Sequence, residues 1–126
     1  MKTTATYEHS SKSFVLNTPN FEAAKCWVGG LGKTATHAVV YAQLYTPDGQ
    51  CHGLNSFVVP VRYPKNMLVY PGIIIGDLGE KVSLNGIDNG FSKYYMTSLS
   101  PFDVHSNNFT SSVVQQLQDP KRLSPV

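Results

Sequence analysis

THAVVYAQLYTPDGQCHGLNSFVVPVR, residues 36–62, reads as strand, turn, strand. Thr36 to Tyr45 is rich in β-branched and aromatic side chains, which pack well on a pleated sheet and lose χ1 freedom in a helix. Thr46-Pro47-Asp48-Gly49 ends it with turn formers: proline presets φ, aspartate bonds the backbone ahead of it, and glycine accepts positive φ. Leu54 to Arg62 follows as a second strand, and its continuous apolar Phe57-Val58-Val59 predicts burial on both faces.

The same punctuation extends in both directions. Upstream, Thr3 to Tyr7 and Phe14 to Asn17 are short β-favouring runs joined by the polar Glu8 to Ser13, which has hairpin length. Ala23 to Val28 reads as a third strand running into Gly29-Gly30-Leu31-Gly32, whose glycines permit backbone angles that side chains forbid. Downstream, Tyr70 to Gly76 is a strand, Asp88-Asn89-Gly90 is a turn signal, and Phe91 to Met96 is the last strand. Short, regularly spaced strands predict an all-β domain, a mostly antiparallel β-barrel or sandwich of six or seven strands. From Thr97 the periodicity fails. The domain is therefore read as residues 1–96, with 97–126 a divergent, flexible tail in which Ser111 to Leu117 has some helical pattern.

The 126 residues suit one domain with a real core. Charged residues are 14% of the chain, against roughly 25% in ordinary soluble domains. That composition suits a sheet-rich unit that leans on other protein surface. Ten basic and eight acidic residues give a formal charge of +2, with no basic stripe to neutralise phosphates, so nucleic-acid binding is not expected. The most apolar run, Tyr70 to Leu78, is broken by Pro71, Gly72, Gly76 and Asp77 and is too short to span a bilayer. The polar N-terminus has no secretory core, and Asn108-Phe109-Thr110 is a glycosylation sequon by pattern only. Cys26 and Cys51 read as reduced thiols, since one bridge does not make a disulfide scaffold.

Few residues suggest chemistry unaided. His37 lies in a strand with no cysteine or carboxylate beside it in a triad or metal-ligand pattern, so it reads as a hydrogen-bonded structural histidine. The glycine-rich loop follows a strand without opening a helix and is no dinucleotide fingerprint. Gly30, Gly32 and Lys33 are accounted for equally by turn geometry with a solvated lysine. Trp27 and Gly29, taken alone, are a core tryptophan and a hairpin-corner glycine. No residue is assigned as catalytic and none as a metal ligand.

Ala24-Lys25-Cys26-Trp27-Val28-Gly29-Gly30-Leu31-Gly32-Lys33 resembles the middle domain of acyl-CoA oxidases. Thr3 to Tyr7, Thr36 to Val40, Phe57 to Arg62, and Pro71 to Gly79 with Asp88 to Phe91 agree in order and spacing. Phe21 to Lys25 and Gln50 to Leu54 are closer to the branched-chain, pristanoyl type. The resemblance implies a peroxisomal flavoprotein of fatty acid β-oxidation. With FAD it would convert fatty acyl-CoA to trans-2-enoyl-CoA with release of hydrogen peroxide, the protein holding cofactor, thioester and base in line. It implies that Gly29, Trp27 and Gly30 face FAD: an aromatic body beside the ring, then backbone that can approach it closely. Asp77 and Lys81 match a family segment and are expected to form a loop-stabilising ion pair.

The resemblance also marks departures. The family's flavin-binding Gln-Thr-Glu segment would precede Met1, and its glutamate base would lie in helical domains beyond Val126. After Phe91 an Arg-Val-Pro-Arg-like segment is replaced by Thr97-Ser98-Leu99-Ser100-Pro101. Ser124-Pro125-Val126 is not the peroxisomal Ser-Lys-Leu address, which leaves the cytoplasm as the alternative location. The expectation is a truncated oxidase domain that faces FAD and acyl-CoA, is inactive alone and self-associates, in a family that is homodimeric. The alternatives are an acyl-CoA dehydrogenase β-domain and a non-catalytic interaction module derived from the same fold.

Overall fold

The computed structural model describes residues 1–99. The helical pattern at Ser111 to Leu117 and the sequon at Asn108 lie outside them. The described residues form eight strands: β1 Thr4–Glu8, β2 Ser13–Asn17, β3 Lys25–Gly29, β4 His37–Tyr45, β5 Cys51–Pro60, β6 Ile73–Asp77, β7 Asn89–Tyr94 and β8 Thr97–Leu99. Their only helical companion among the described residues is one 3-10 turn, Phe21–Ala23.

The β4–β5 hairpin forms as its sequence dictates. Along β4 the side chains alternate, with Val40, Ala42 and Leu44 buried and Val39 and Tyr41 exposed, the period of two of a sheet covered on one face. In the connecting turn Gly49 takes φ 82°, its N–H donates to the Thr46 carbonyl at 2.9 Å, and the Asp48 carboxylate accepts the Gln50 N–H at 3.2 Å. Phe57 and Val59 point inward while Val58 is only half-buried. The expected burial of this run on both faces is thus corrected. Val58 pairs with the exposed Val39 on the sheet's outer surface, which no second layer among the described residues covers.

Two sheets result, ordered β5-β4-β1-β2-β8 and β3-β7-β6. They do not close into a barrel. Side chains from both meet between them: Phe14, Leu16, Val40, Leu44, Phe57 and Val59 from the larger sheet, Ile73 and Tyr94 from the smaller, and Leu31 and Val61 from connecting loops. Phe14 links the aromatic part of this core, with ring centroids 5.1 Å from Tyr7 and 5.7 Å from Phe57. Tyr94 is fully buried, its hydroxyl accepting from Ser92 Oγ at 3.2 Å, and burial pushes its pKa up.

The sheets are mostly antiparallel, as the sequence predicts, with one parallel pairing, β4 beside β1, Thr4 opposite Gln43 and Thr6 opposite Tyr45. The chain visits the other sheet through β3 in between, so it returns beside β1 in the same direction. Two further expectations need correction. The third strand starts at Lys25 because Asn20 caps the 3-10 turn before it, its side chain accepting the Ala23 N–H at 3.2 Å. Asn89-Gly90 opens β7 and is not a turn. In addition, β8 lies beyond the boundary read at residue 96: Thr97–Leu99 pair with Leu16, Val15 and Phe14 of β2, and Leu99 is buried.

Candidate functional site

β3 is short and irregular. Its pairing with β7 slips between Lys25 and Val28, a bulge, and within it Trp27 takes φ 62°. Left-handed backbone costs a bulky L-residue on the order of 1–2 kcal/mol, and bulges commonly re-aim a side chain. Here the indole is turned outward and is 58% exposed. The reading of Trp27 as a core residue therefore fails.

Gly29 follows with an ordinary φ, and a Cβ placed on it would find only Asn89 Oδ1, at 3.8 Å. Gly30 takes φ 72° and starts the connection to β4. Its carbonyl accepts the N–H groups of Thr34 and Ala35 at 3.1 and 2.8 Å, and Leu31 anchors the loop in the core.

Two distant residues hold this loop. Asp88 accepts through Oδ2 from the Lys33 N–H, the Thr34 N–H and Thr34 Oγ1, at 3.1, 3.1 and 3.0 Å, and its main-chain carbonyl accepts the Gly30 N–H at 2.6 Å. Arg62, 5% exposed, donates from Nη1 to the Ala35 carbonyl at 2.9 Å and from Nη2 to the Gly32 carbonyl at 2.8 Å. Neither residue is singled out by sequence reasoning, since each acts on a partner far along the chain. The only local signal is an arginine ending an apolar strand, which needs acceptors if buried.

The backbone is crowded behind the loop. A Cβ on Gly32 would lie 2.6 Å from Asp88 Oδ1, and one on Gly90 would lie 2.6 Å from Gly32 N and 2.9 Å from the Gly76 carbonyl. These glycines serve close approach, whereas Gly29 has free space in front of it.

Charged residues flank the loop. Asp77 pairs with Lys33 at 3.3 Å and accepts the Gly79 N–H at 2.7 Å. Its expected pairing with Lys81 is corrected: the Lys81 amine donates to the Gly79 carbonyl at 2.7 Å. His37 is exposed at the start of β4, with Nδ1 3.1 Å from Thr36 Oγ1. Cys26 and Cys51 are free and exposed. Beside β3 runs a groove of about 570 Å³ whose walls include Lys25, Cys26, Val28, Val39 and Tyr41. Burial lowers the pKa of the Lys25 amine there. No cluster of three metal-binding side chains occurs among the described residues, and no helix among them is long and apolar enough to cross a membrane.

Three carboxyls sit below their ordinary range. For Asp48 the main cause is the Thr46 hydroxyl, followed by the Gln50 N–H. For Asp77 it is the Gly79 N–H, then Lys33. For Asp88 burial pushes upward, but the Thr34 hydroxyl and the Lys33 and Thr34 N–H groups together outweigh it. A group whose folded pKa is depressed below the unfolded value, about 3.9 for Asp, stabilises above that value and ceases to do so as pH falls through the folded one. The urea midpoint should therefore fall from pH 7 to pH 3. An unchanged midpoint would show that these contacts contribute nothing.

No protein-family model matches the chain. It is 52% identical over 95 residues to peroxisomal acyl-coenzyme A oxidase 3 of Homo sapiens, covering 75% of this chain and 14% of that protein. An alignment with peroxisomal acyl-coenzyme A oxidase 1 of Cavia porcellus runs through all 126 residues at 37% identity and covers 18% of the relative. Among solved structures, acyl-CoA oxidase-1 of Caenorhabditis elegans complexed with FAD and ATP superposes with TM-score 0.77 at 41% identity, over 82% of this chain and 16% of that one. The chain thus spans about one-seventh of the length of the first of these relatives.

Proposed function

The matched stretch belongs to the acyl-CoA oxidase family, and on that premise we propose that this chain is the β-sheet wall facing FAD and fatty acyl-CoA in such an oxidase. The observation that carries the proposal is the bulge at Trp27, where a bulky aromatic is held outward on strained backbone, two residues before a glycine with open space. A flat apolar ring fits that combination, with indole on one side and bare backbone on the other. Strain of this kind persists where surrounding structure enforces it, and it concentrates at functional sites.

FAD would supply the redox chemistry of such an oxidase, hydride acceptance from the acyl β-carbon and electron delivery to dioxygen. The residues of this chain orient and shield. Trp27, Gly29 and Gly30 would border the ring, and Val28, Val39 and Tyr41 offer apolar wall along the adjoining groove. The outer face of the larger sheet also exposes Val39, Tyr41 and Leu54, a surface that suits cover by the rest of an oxidase or by a second copy. The peroxisomal relatives make the peroxisome the proposed location.

Trp27 is the only tryptophan in the chain, so its fluorescence reports flavin binding directly. The chain should show quenching on titration with FAD, and Gly29→Leu should weaken that binding at least tenfold. Because a Cβ at 29 meets nothing closer than 3.8 Å among the described residues and needs no unusual φ, its unfolding free energy should remain within about 0.5 kcal/mol of the parent. Equal FAD affinity in the two proteins would remove Gly29 from the site.

A further inference from the structure

We propose that Asp88 is a positioning residue for the flavin-facing turn, fixing the Gly29–Gly30 backbone in its receptive conformation before a ligand arrives. The proposal rests on the flavin reading above. It starts from the hydrogen-bond accounting of the loop between β3 and β4. Backbone N–H and C=O groups that leave a ladder need partners, and here the two kinds are satisfied by opposite jaws. The N–H groups of Gly30, Lys33 and Thr34 all end on Asp88, through its carbonyl and Oδ2. The carbonyls of Gly32 and Ala35 end on Arg62.

The location of Asp88 gives it leverage. The β3–β7 ladder ends with Gly29 opposite Asn89, so Asp88 is the first residue past its end and meets the chain where it leaves the sheet. The carboxylate fills the space a side chain at 32 would need, which is why glycine stands there. Its second oxygen, Oδ1, is out of solvent with no partner among the described residues. The carboxylate is therefore held by shape and by the loop on one side only. Charged neighbours are accounted for, with Lys33 paired to Asp77 and Arg62 committed to carbonyls. Without the Asp88 side chain the loop keeps the Gly30 N–H bond to the main-chain carbonyl of residue 88, Arg62, Leu31 and the ladder, so the fold survives. Lys33 and Thr34 lose the carboxylate that anchors them, and the turn that Thr34 closes on the Gly30 carbonyl gains freedom. A ligand would then have to order the turn itself, and affinity would fall.

The test uses the whole 126-residue chain with two readouts, hydrogen exchange across residues 29–36 without ligand and FAD titration followed by Trp27 quenching. Asp88→Ala should speed exchange in that segment and weaken FAD binding at least tenfold. Asp88→Asn, which keeps an oxygen acceptor facing the loop, should recover most of both. Val59→Ala, in the core of the other sheet, controls for lost stability and should leave FAD affinity within twofold while folded. Wild-type affinity in Asp88→Ala overturns the positioning role alone, as does an equal loss in Val59→Ala. Absence of quenching in the unmodified chain overturns the flavin reading and this proposal with it.

Discussion

Gly90→Val is expected to leave the chain unfolded or nearly so under conditions where the parent is folded. A Cβ at 90 would lie 2.6 Å from Gly32 N, 2.9 Å from Gly32 Cα and 2.9 Å from the Gly76 carbonyl. All three are backbone atoms, and they belong to the loop on one side and to β6 on the other. No rotamer relieves a clash made by Cβ itself, so the ladders of β7 with both β3 and β6 would have to part. Valine adds branching at the same carbon. The cost should exceed about 4 kcal/mol, the range reserved for gross packing or backbone failure, against a total of roughly 5–15 kcal/mol for a domain. Gly49→Val is the comparison. With nothing within 4 Å and φ 82°, it bears only the local backbone cost, on the order of 1–2 kcal/mol. Loss of the β-sheet circular dichroism signal in Gly90→Val but not in Gly49→Val is the expected result. A cooperative transition within about 1 kcal/mol of the parent would show that the smaller sheet can open at this crossing.

The second large effect is catalytic. Supplied with FAD and palmitoyl-CoA, the 126-residue chain should release no hydrogen peroxide above background. Removing the acyl α-proton needs a carboxyl within roughly 3 Å of it and with a pKa near the working pH. Two carboxyls beside the glycine-rich loop fail the second condition. Asp77 and Asp88 are committed to N–H groups of the loops and are held below the ordinary carboxylate range, the wrong direction for a base. Holding reactants and base in line accounts for about 7–11 kcal/mol of such barriers, and a single wall does not supply it. A peroxidase-coupled assay decides the matter, since sustained peroxide formation would place a functioning base in this chain. Residues 1–91 grafted in place of the corresponding segment of a complete oxidase should support turnover, which separates a missing base from a defective wall.

How much of this was legible in the sequence varies with the distance over which the physics acts. The β4–β5 hairpin was readable because alternation and the Thr46–Gly49 turn are settled by neighbours two to four residues apart. Gly30 was readable as a position for positive φ on the same grounds. The resemblance implies a flavin-facing role for Trp27 and Gly29, whereas the residue type taken alone implies an indole packed in the core. The bulge that turns it outward is a mismatch between β3 and β7, and neither strand contains it by itself. β8 escaped notice because three residues carry no period, and only β2 makes them a strand.

The sequence by itself determined that this is an all-β domain, where its longest strands run and which family stretch it carries, since these rest on local propensity and on contiguous residues. Tertiary structure alone decided that β4 runs parallel to β1, that the sheets stack without closing, and that Asp88 and Arg62 grip a loop 54 and 30 positions away in the chain. It also decided why each glycine is needed: Gly49 for its positive φ in open space, Gly90 for the backbone of Gly32 and Gly76 that stands where a side chain would be, and Gly32 for the Asp88 carboxylate in the same place.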